Sequence, residues 1–515
     1  MRKNKGLKGF SLLLVMASTV LLSSAAAYES FNGPTEMIYS DPSRVAPGYL
    51  LFSSWPRLEE YEYTYLVDTN GNVVNKWKTI TPEYEGRGYI LEKTARRTES
   101  GSIIQGISTA GHNYRGERAI QELDWDGNLA WEFIDPREGY LYHHTFKRIW
   151  NNHLNDWTII YTAQFPMSQQ QAVAAGADPS VEWDAAPDGV VEVDRNGNVV
   201  WEWWSLDHVV QDKNPAWPNY GVLAEHPERF DMNWGAGLTG DLIHQNALDY
   251  NRTLDQIVVN NDKVGELYVI DHGGTFVVGD FEASKALAAG PRGDIVFRWG
   301  NPGVYDSGEV PSYNADGNVT SEGDRLLFHH HDTQWVKEGL PGEGNFLIFD
   351  NGSRRAGAYS SRLIEVDPYA GSYPNAPYLP EMEAGGPAEQ VVWSFAARNA
   401  NSFFSTNISG VQRLANGNTL GIAGRQGHVF QVTSDGDVVW EYIVPVMVGL
   451  PEGATPYQVF KKTMSDSDDN AIFTAHWIAP DHPGLVGKDL TPQGKITDIM
   501  PRLGQPIPAG TGFRY

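Results

Sequence analysis

Four segments of the sequence place histidines beside other polar side chains, and imidazole is the side chain whose charge changes most readily near neutral pH. The four segments are His143-His144, His244-Gln245-Asn246, His329-His330-His331-Asp332 and Gly427-His428. Neutral imidazole can act as a nucleophile, as a general acid or base, or as a metal ligand. A single histidine beside a strand is more often structural, so the fold must bring these segments together before they can do chemistry.

A fifth segment supplies positive charge, because residues 350–355 read Asp-Asn-Gly-Ser-Arg-Arg. The chain has a formal net charge of −25, which disfavours nucleic acids and anionic membrane surfaces as partners. An anionic small molecule would need local cations, and Arg354 or Arg355 could bind its oxygens through charge-assisted hydrogen bonds. Either arginine could equally be a solvated turn residue.

Two kinds of site are disfavoured. The chain contains no cysteine, which excludes a thiolate nucleophile, a disulfide and cysteine-ligated zinc. The run His329-His330-His331 could bind a metal, but neighbouring residues on a strand point to opposite faces. A metal site would therefore need ligands from several sheets, so we expect no metal and no cofactor.

A repeated pattern predicts the scaffold. Each copy reads apolar strand, Asp or Thr, a tight turn with Asn-Gly or Asp-Gly, apolar residues and then Trp. Four copies are continuous and two are split by insertions, and the copies end at Trp77, Trp131, Trp201, Trp299, Trp393 and Trp440. Asn-Gly and Asp-Gly accept the positive φ of a tight hairpin, and Trp can fill the space between sheets.

Six such units predict an all-β chain folded as a six-bladed β-propeller. A stacked sandwich or two separate β domains are the alternatives. Long loop insertions, with 205–240 and 304–325 the largest, are expected to lie within blades and to cover one face. The innermost strand of each blade lines the central channel, so the histidine segments of different blades could point at one axis.

The N-terminus has the three parts of a secretory leader over residues 1–27. Four basic residues precede an apolar run at 10–22, which is too short to span a bilayer comfortably, and small residues follow at 23–27. An uncleaved anchor is the alternative. We expect the mature chain to start near Tyr28, with residues 28–47 as an N-terminal extension and 48–515 as the propeller, in the periplasm or outside the cell and with no membrane insertion after cleavage.

In their order along the chain, these segments resemble the arylsulfotransferase family of periplasmic bacterial enzymes. The resemblance runs from about Gly48 onward, and its most specific motifs are Arg-Trp-Gly-Asn-Pro at 298–302 and Asp-Asn-Gly at 350–352. It implies a six-bladed propeller that moves a sulfuryl group from an aryl sulfate to a phenol. It also implies a transient sulfohistidine and no nucleotide sulfate donor.

The resemblance assigns roles to particular residues. It places the nucleophile on His428, supporting histidines on His244 and His331, and a sulfate-binding arginine on Arg355, with Arg354 as the alternative. Asn246 and Asn351 stand in the same motifs and are expected to bind substrate. His428 also begins the strand of the last repeat, so a purely structural role stays open there.

Other functions remain open as well. The family's best-known members carry an additional N-terminal β domain, for which we expect no room here, so the oligomeric state is left open. Two different functions are alternatives to sulfuryl transfer: a metal-dependent oxidoreductase or lyase on the same scaffold, or a non-catalytic propeller that binds a ligand.

Overall fold

Each copy of the sequence repeat forms the outer half of an antiparallel sheet, and the six sheets are arranged as the blades of a six-bladed propeller. The prediction of an all-β propeller is therefore confirmed. The computed structural model describes residues 36–53, 63–78, 89–97, 101–110, 118–183, 185–234, 240–241, 243–314, 319–353, 355–356, 360–370, 386–397, 404–445 and 471–499.

The blades are numbered along the chain, and their strands are given from the axis outward. Blade 1 contains Ala475–Ile478, Tyr49–Ser53, Tyr63–Asp68 and Val73–Lys78; blade 2 contains Tyr89–Arg97, Ile103–Ala110, Arg118–Leu123 and Leu129–Ile134; blade 3 contains Leu141–Asn151, Asp156–Gln164, Asp188–Val193 and Val199–Trp204. Blade 4 contains Leu248–Asn251, Gln256–Asn261, Glu266–Asp271 and Phe297–Trp299; blade 5 contains His331–Trp335, Phe346–Asp350, Arg362–Val366 and Val391–Phe395; blade 6 contains Gly410–Arg413, Thr419–Ala423, His428–Val432, Val438–Ile443 and Glu36–Ser40.

Both ends of the described chain take part in closing the ring. The strand Ala475–Ile478 forms the inner edge of blade 1 and pairs Trp477 with Leu50. At the other end, Glu36–Ser40 pairs with the outer strand of blade 6, with Glu36 opposite Ile443. Residues 36–40 fall in the predicted N-terminal extension, yet they belong to a blade because they pair with the backbone of what would otherwise be a sheet edge.

The recurring Asp shapes the outer hairpin of a blade. In blade 1, Asp68 Oδ1 accepts hydrogen bonds from the backbone N–H of Asn70 at 2.9 Å and of Asn72 at 2.8 Å. Gly71 sits in the same turn with φ of 79°, a conformation that glycine adopts without strain. The carboxylate thus binds the backbone donors that a tight turn leaves unpaired.

The recurring Trp joins each blade to the next. The indole N–H of each one donates a hydrogen bond to an oxygen of the following blade, and the last returns to blade 1. The six bonds are Trp77 to Asp124 O, Trp131 to Arg195 O, Trp201 to Thr275 Oγ1, Trp299 to Pro387 O, Trp393 to Ser434 O and Trp440 to Thr69 O. Each Trp therefore joins two neighbouring blades and satisfies its one donor.

The two largest loops differ from the prediction in one respect. Segments 205–240 and 304–325 each connect the outer strand of one blade with the inner strand of the next, instead of lying within a blade. The insertions within blades 4 and 5 separate their third and outer strands. In an up-and-down sheet, connections between blades and those between second and third strands emerge at the same face. That face is also where the inner strands begin, and it carries the histidine segments.

Short elements complete the described residues. The α-helices there are Gln169–Ala174, Phe281–Ala288 and Ile496–Ile499. Two-stranded pairs form between Ala185–Ala186 and Gly240–Asp241, Val209–Val210 and Phe230–Asp231, and Ser312–Tyr313 and Val319–Ser321. The 3-10 turns are Ser205–Asp207, Leu223–Glu225, Gly273–Thr275, Pro291–Gly293, Pro302–Tyr305, Pro387–Gln390, Gly424–Gln426 and Pro483–Leu485. Within the described ranges, we find no helix long and apolar enough to cross a bilayer.

Candidate active site

An unusual backbone conformation recurs near the start of the inner strands. His144 of blade 3, His244 of blade 4 and His329 of blade 5 have φ of 64°, 61° and 58°, and Ile408 of blade 6 has φ of 45°. Few residues other than glycine adopt this left-handed region, and such residues are often found at functional sites. The chain therefore turns sharply at the same end of the channel in four successive blades.

Three of the histidines meet at this end of the channel. His144 Nε2 lies 3.0 Å from His244 Nε2, and the ring of His143 lies 4.0 Å from that of His144 and 5.1 Å from that of His244. Asp188 serves two of them, because its Oδ1 lies 3.3 Å from His143 Nδ1 and its Oδ2 accepts from the backbone N–H of His244 at 3.0 Å. Blades 3 and 4 are joined here through imidazoles.

His329 contacts a buried carboxylate. Its Nδ1 lies 2.9 Å from Oδ2 of Asp262, which follows the second strand of blade 4. Burial by itself would raise the pKa of Asp262, but the neighbouring histidines, His329 foremost, outweigh burial and hold that pKa well below its usual range. The His329 side chain is 35% exposed, so this imidazole combines a buried carboxylate partner with access to solvent.

His331 is neutral, and both of its ring nitrogens make hydrogen bonds. Its Nδ1 lies 2.8 Å from the acceptor Asn351 Oδ1, and its Nε2 accepts from the backbone N–H of Ile408 at 3.2 Å. Burial first, and then the nearby His329, lower the pKa of His331 to about 3. His331 therefore joins blade 5 to the left-handed turn of blade 6.

Phe473 provides an apolar wall beside these histidines. It precedes the inner strand of blade 1, and its ring lies 5.5 Å from that of His144 and 6.4 Å from that of His331. Its carbonyl accepts from the backbone N–H of Ser409 at 3.1 Å. We call His143, His144, His244, His329 and His331 the axial histidines; with Phe473 and Asp262 they unite blades 1, 3, 4 and 5.

His428 lies further from the axis than the axial histidines. It is the first residue of the third strand of blade 6, and its Nε2 lies 2.8 Å from Oε1 of Glu441 on the outer strand. Glu266 begins the third strand of blade 4 and binds Arg298 in the same cross-strand arrangement, with Arg298 Nε donating to Oε2 at 2.9 Å. The contacts that the structure gives His428 thus occupy a recurring position of the blades.

Arg355 lies in the connection between the second and third strands of blade 5. It donates to the Asp350 carboxylate and, at 3.3 Å, to the carbonyl of Leu326. Asp350 also accepts from Arg362 Nε at 2.9 Å. Arg355 Nε also lies 3.9 Å from Glu322 Oε1, so two guanidinium groups are balanced by two carboxylates near the face that carries the axial histidines.

The remaining predicted residues lie around the same face. Asn246 is buried, donates to the carbonyl of His330 at 2.9 Å and accepts from Asn260 Nδ2 at 2.9 Å. Asn351, also buried, accepts from His331 and donates to the carbonyl of Ser405 at 2.9 Å. These bonds fix neighbouring blades to one another. Arg354 lies outside the described residues.

The structure thus brings His244 and His331 together, with Asp262 between them, and shows His428 and Arg355 in other contacts at the same face. Sequence reasoning missed Asp262 and Phe473. Asp262 follows the second strand of blade 4 just as Asn351 does in blade 5, so an alignment of the blades could have found it. No repeat signal marks Phe473.

Residues 36–264 match the family model of the arylsulfotransferases (ASST). The arylsulfotransferase resemblance is confirmed over this part of the chain. The matched residues include His143, His144, His244 and Asp262, whereas His331, Arg355 and His428 lie beyond it.

Solved structures with similarity to the chain are distant. A protein of unknown function from Bacteroides caccae is 10% identical, with 84% of this chain and 99% of that chain covered and a TM-score of 0.40. The β-propeller domain of Cps50 (Swd1) from Myceliophteria thermophila is 12% identical, with 79% and 89% covered and a TM-score of 0.34. Virginiamycin B lyase from Staphylococcus aureus is 7% identical, with 79% and 88% covered and a TM-score of 0.31. Among curated proteins, no match is found.

Proposed function

We propose that the chain transfers a sulfuryl group from an aryl sulfate ester to a phenol at the axial histidines, without a nucleotide donor. The observation that carries this proposal is the pair of His329 and Asp262, with His329 Nδ1 2.9 Å from a buried carboxylate and the imidazole open to solvent. The arylsulfotransferase match supports the reaction class. A carboxylate bound at Nδ1 keeps the proton on that nitrogen and leaves the lone pair of Nε2 for attack.

In the first half-reaction, Nε2 of His329 attacks the sulfur of the aryl sulfate. The N–S bond forms, the bond from sulfur to the aryl oxygen breaks, and its electron pair leaves with the phenolate. Asp262 stabilises the positive charge that develops on the sulfated imidazole. Because a phenol has a pKa near ~10, the departing phenolate benefits from a proton, and protonated His244 supplies it.

In the second half-reaction, the acceptor phenol gives its proton to His244 and its oxygen attacks the sulfur. The N–S bond breaks and its electron pair returns to Nε2 of His329, which restores the starting state. Charge spreads over the peripheral sulfuryl oxygens in both steps, as in phosphoryl transfer. Arg355 and Arg362 neutralise Asp350 and Glu322 near this face, which would allow the anionic donor to approach it.

The resemblance implies His428 as the nucleophile, and our proposal places the attack on His329 instead. Both imidazoles have a carboxylate on one ring nitrogen, but the side chain of His428 is 4% exposed and that of His329 is 35% exposed, so we place the attack on the more accessible one. His331 holds the backbone of Ile408 and would act as a positioning residue.

The test compares His329→Ala with His428→Ala. We expect wild type to release 4-nitrophenol from 4-nitrophenyl sulfate only when phenol is present, His329→Ala to lose this reaction, and His428→Ala to keep it in its folded fraction. Intact-mass and peptide mapping after donor alone should place one sulfuryl group on His329. A label on His428, with turnover retained by His329→Ala, would contradict the assignment of the nucleophile; no turnover by wild type with several donors would contradict the reaction.

We further propose that the protein acts outside the cytoplasm, because residues 1–27 have the composition of a secretory leader. Expression in a bacterial host, followed by N-terminal sequencing of the extracytoplasmic fraction, should give a mature chain that begins near Tyr28. Retention of Met1 on a cytoplasmic product would contradict this proposal.

A further inference from the structure

We propose that His143, His144 and His244 form a binding site for one divalent transition metal ion of the zinc type. One ring nitrogen from each histidine lies within 4.8 Å of those from the other two. His143 and His144 come from the inner strand of blade 3, whereas His244 precedes that of blade 4, so ligands are recruited from two blades. This inference does not depend on the proposed function.

The donor set favours this class of ion. Three neutral imidazoles bind zinc, copper and nickel well and bind calcium or magnesium poorly. Ring nitrogens at 2.0–2.1 Å from a tetrahedral zinc lie roughly 3.3 Å apart. The 3.0 Å between His144 Nε2 and His244 Nε2 is close to that separation, and a modest rotation of the His143 ring would complete the set.

A carboxylate stands where an outer partner of a metal-binding histidine is normally found. Asp188 Oδ1 lies 3.3 Å from His143 Nδ1 without a hydrogen bond between them; a turn of the ring that formed this bond would keep the proton on Nδ1 and leave Nε2 as the ligand atom. Metal-bound histidines commonly donate their second nitrogen to such a carboxylate. Asp188 also accepts from the backbone N–H groups of Ile243 at 3.2 Å and His244 at 3.0 Å, and therefore fixes two of the three ligands at once.

The backbone conformation already favours the close approach of these histidine rings. His144 and His244 both adopt the left-handed conformation, with φ of 64° and 61°. Such conformations are maintained at an energetic cost and are concentrated at ligand-binding sites. Their alignment in neighbouring blades turns two imidazoles towards each other before any ligand binds.

A second group of side chains has ligand atoms at a suitable spacing, but one of its histidines has no lone pair for a metal. His153, Asp255 and His272 also lie within 4.8 Å of one another at their ligand atoms. However, His272 Nδ1 lies 2.7 Å from Asp255 Oδ1 and its Nε2 lies 2.9 Å from Glu192 Oε2. An imidazole that donates from both nitrogens has no lone pair for a metal. We therefore expect the group of His144 to bind zinc and the group of His272 not to bind it.

Three protein ligands leave a fourth position open, as in zinc sites that bind water or an oxygen ligand. His244 is partly exposed, so we expect the open position to accept an oxygen donor from solvent. A coordinated His244 has no lone pair for the proton of a phenol. Metal loading should therefore suppress the transferase reaction; this consequence rests on the proposed function, whereas the binding does not.

The experiment uses the full chain without an affinity tag, stripped with a chelator and titrated with zinc chloride by calorimetry. We expect one zinc ion to bind wild type, and His144→Ala to weaken that binding more than about 100-fold, because loss of an outer partner alone costs 10–100-fold. Asp188→Asn should weaken it by that smaller factor. Cobalt(II) should give the visible absorption of a four-coordinate site in wild type and not in His144→Ala.

Two matched variants make the result specific. His226→Ala removes a histidine whose side chain is 41% exposed, and it should bind zinc as wild type does. His153→Ala removes a member of the second group and should also leave binding unchanged. Absence of zinc binding by wild type would overturn the proposal, as would loss of binding in His153→Ala with retention in His144→Ala. Circular dichroism verifies folding, and because binding is measured without substrate, the result stands apart from transferase activity.

Discussion

Two groups of histidines in this propeller have opposite electrostatic environments. At the axis, His331 is buried against amide and backbone groups, and burial, followed by the nearby His329, lowers its pKa to about 3. Between blades 3 and 4, His272 is equally buried, yet its pKa is raised to about 9. Burial alone would lower that pKa as well, but Glu192 and Asp255 on its two nitrogens outweigh the desolvation.

The difference shows that the supply of carboxylates decides what a buried histidine does. His272 is a cation at pH 7 that joins blades 3 and 4, with Tyr250 donating to the same Asp255 at 2.7 Å and the Trp201 ring 5.0 Å away. The axial group has two carboxylates, Asp262 and Asp188, for its five imidazoles, and the lowered pKa keeps His331 neutral at pH 7. Neutral imidazoles keep the lone pairs that nucleophiles and metal ligands need.

The largest expected effect comes from removing the axial carboxylate. Asp262→Asn should lower kcat for 4-nitrophenyl sulfate on the order of 10³-fold, because His329 loses the group that sets its tautomer and stabilises its charge. Nitrophenol release by matched amounts of folded protein measures the change. Asp255→Asn is the control, since the same substitution in the second group should reduce stability and leave kcat near wild type. An unchanged kcat in Asp262→Asn would remove His329 from the reaction.

The reverse experiment weakens the structural group. His272→Gln should lower the free energy of unfolding by roughly 3–5 kcal/mol, because it leaves the buried carboxylate of Glu192 without its cation. Urea denaturation at pH 7 measures the loss. His153→Gln is the control: its imidazole, 28% exposed, contacts the same Asp255 at 2.9 Å, and the cost there should be below about 1 kcal/mol. Equal losses of unfolding free energy in the two variants would mean that the contacts of His272 with Glu192 and Asp255 do not join blades 3 and 4.

The two groups also predict opposite dependences of stability on pH. The folded pKa of His272 is about 9, above the unfolded value of about 6.5, so its stabilisation is complete below pH ~6.5 and is lost as pH rises through ~9. The difference amounts to roughly 3 kcal/mol. His331 has a folded pKa of about 3, so its contribution is present above pH ~6.5 and is lost as pH falls.

Unfolding free energies of wild type, His272→Gln and His331→Asn between pH 5 and 10 separate these contributions. The stability advantage of wild type over His272→Gln should shrink above pH ~7, and His331→Asn should flatten the decline on the acid side. A constant difference between wild type and His272→Gln across this range would show that His272 is not a buried cation.

The sequence predicts the fold better than the site, for a physical reason. The Asp-Gly turns and the Trp spacing are local signals, and each determines one hairpin and one contact with the next blade. The pairing of Glu36–Ser40 with blade 6 has no local signal, because it depends on a strand 400 residues away becoming an edge. Likewise, the composition of segments 205–240 and 304–325, rich in Pro, Asn, Asp and Gly, does not reveal that they connect blades.

The site depends on neighbouring blades, which a single repeat cannot describe. His244 and His331 were identified because each begins an inner-strand pattern. Asp262 escaped notice because its partner, His329, belongs to the next blade, and Phe473 because it reaches the axis from the last described segment. For His428, sequence indicates the right face of the propeller but not the distance from the axis, which is set by its place in the third strand.

The smallest expected effect concerns the cationic side of the axial region. Arg355→Ala should raise KM for 4-nitrophenyl sulfate about tenfold with little change in kcat, because Glu322, 3.9 Å from Arg355 Nε, would lose this cation and repel the anionic donor. Arg355→Lys keeps the charge and should recover most of the affinity. Steady-state kinetics at low and high salt distinguish an effect of net charge from direct contact between Arg355 and the donor, because an effect of net charge on KM weakens with salt. A fall in kcat at unchanged KM would instead place Arg355 on the transferring sulfuryl group, as the family resemblance implies, and the reacting centre would then lie nearer blade 5 than the axial histidines do.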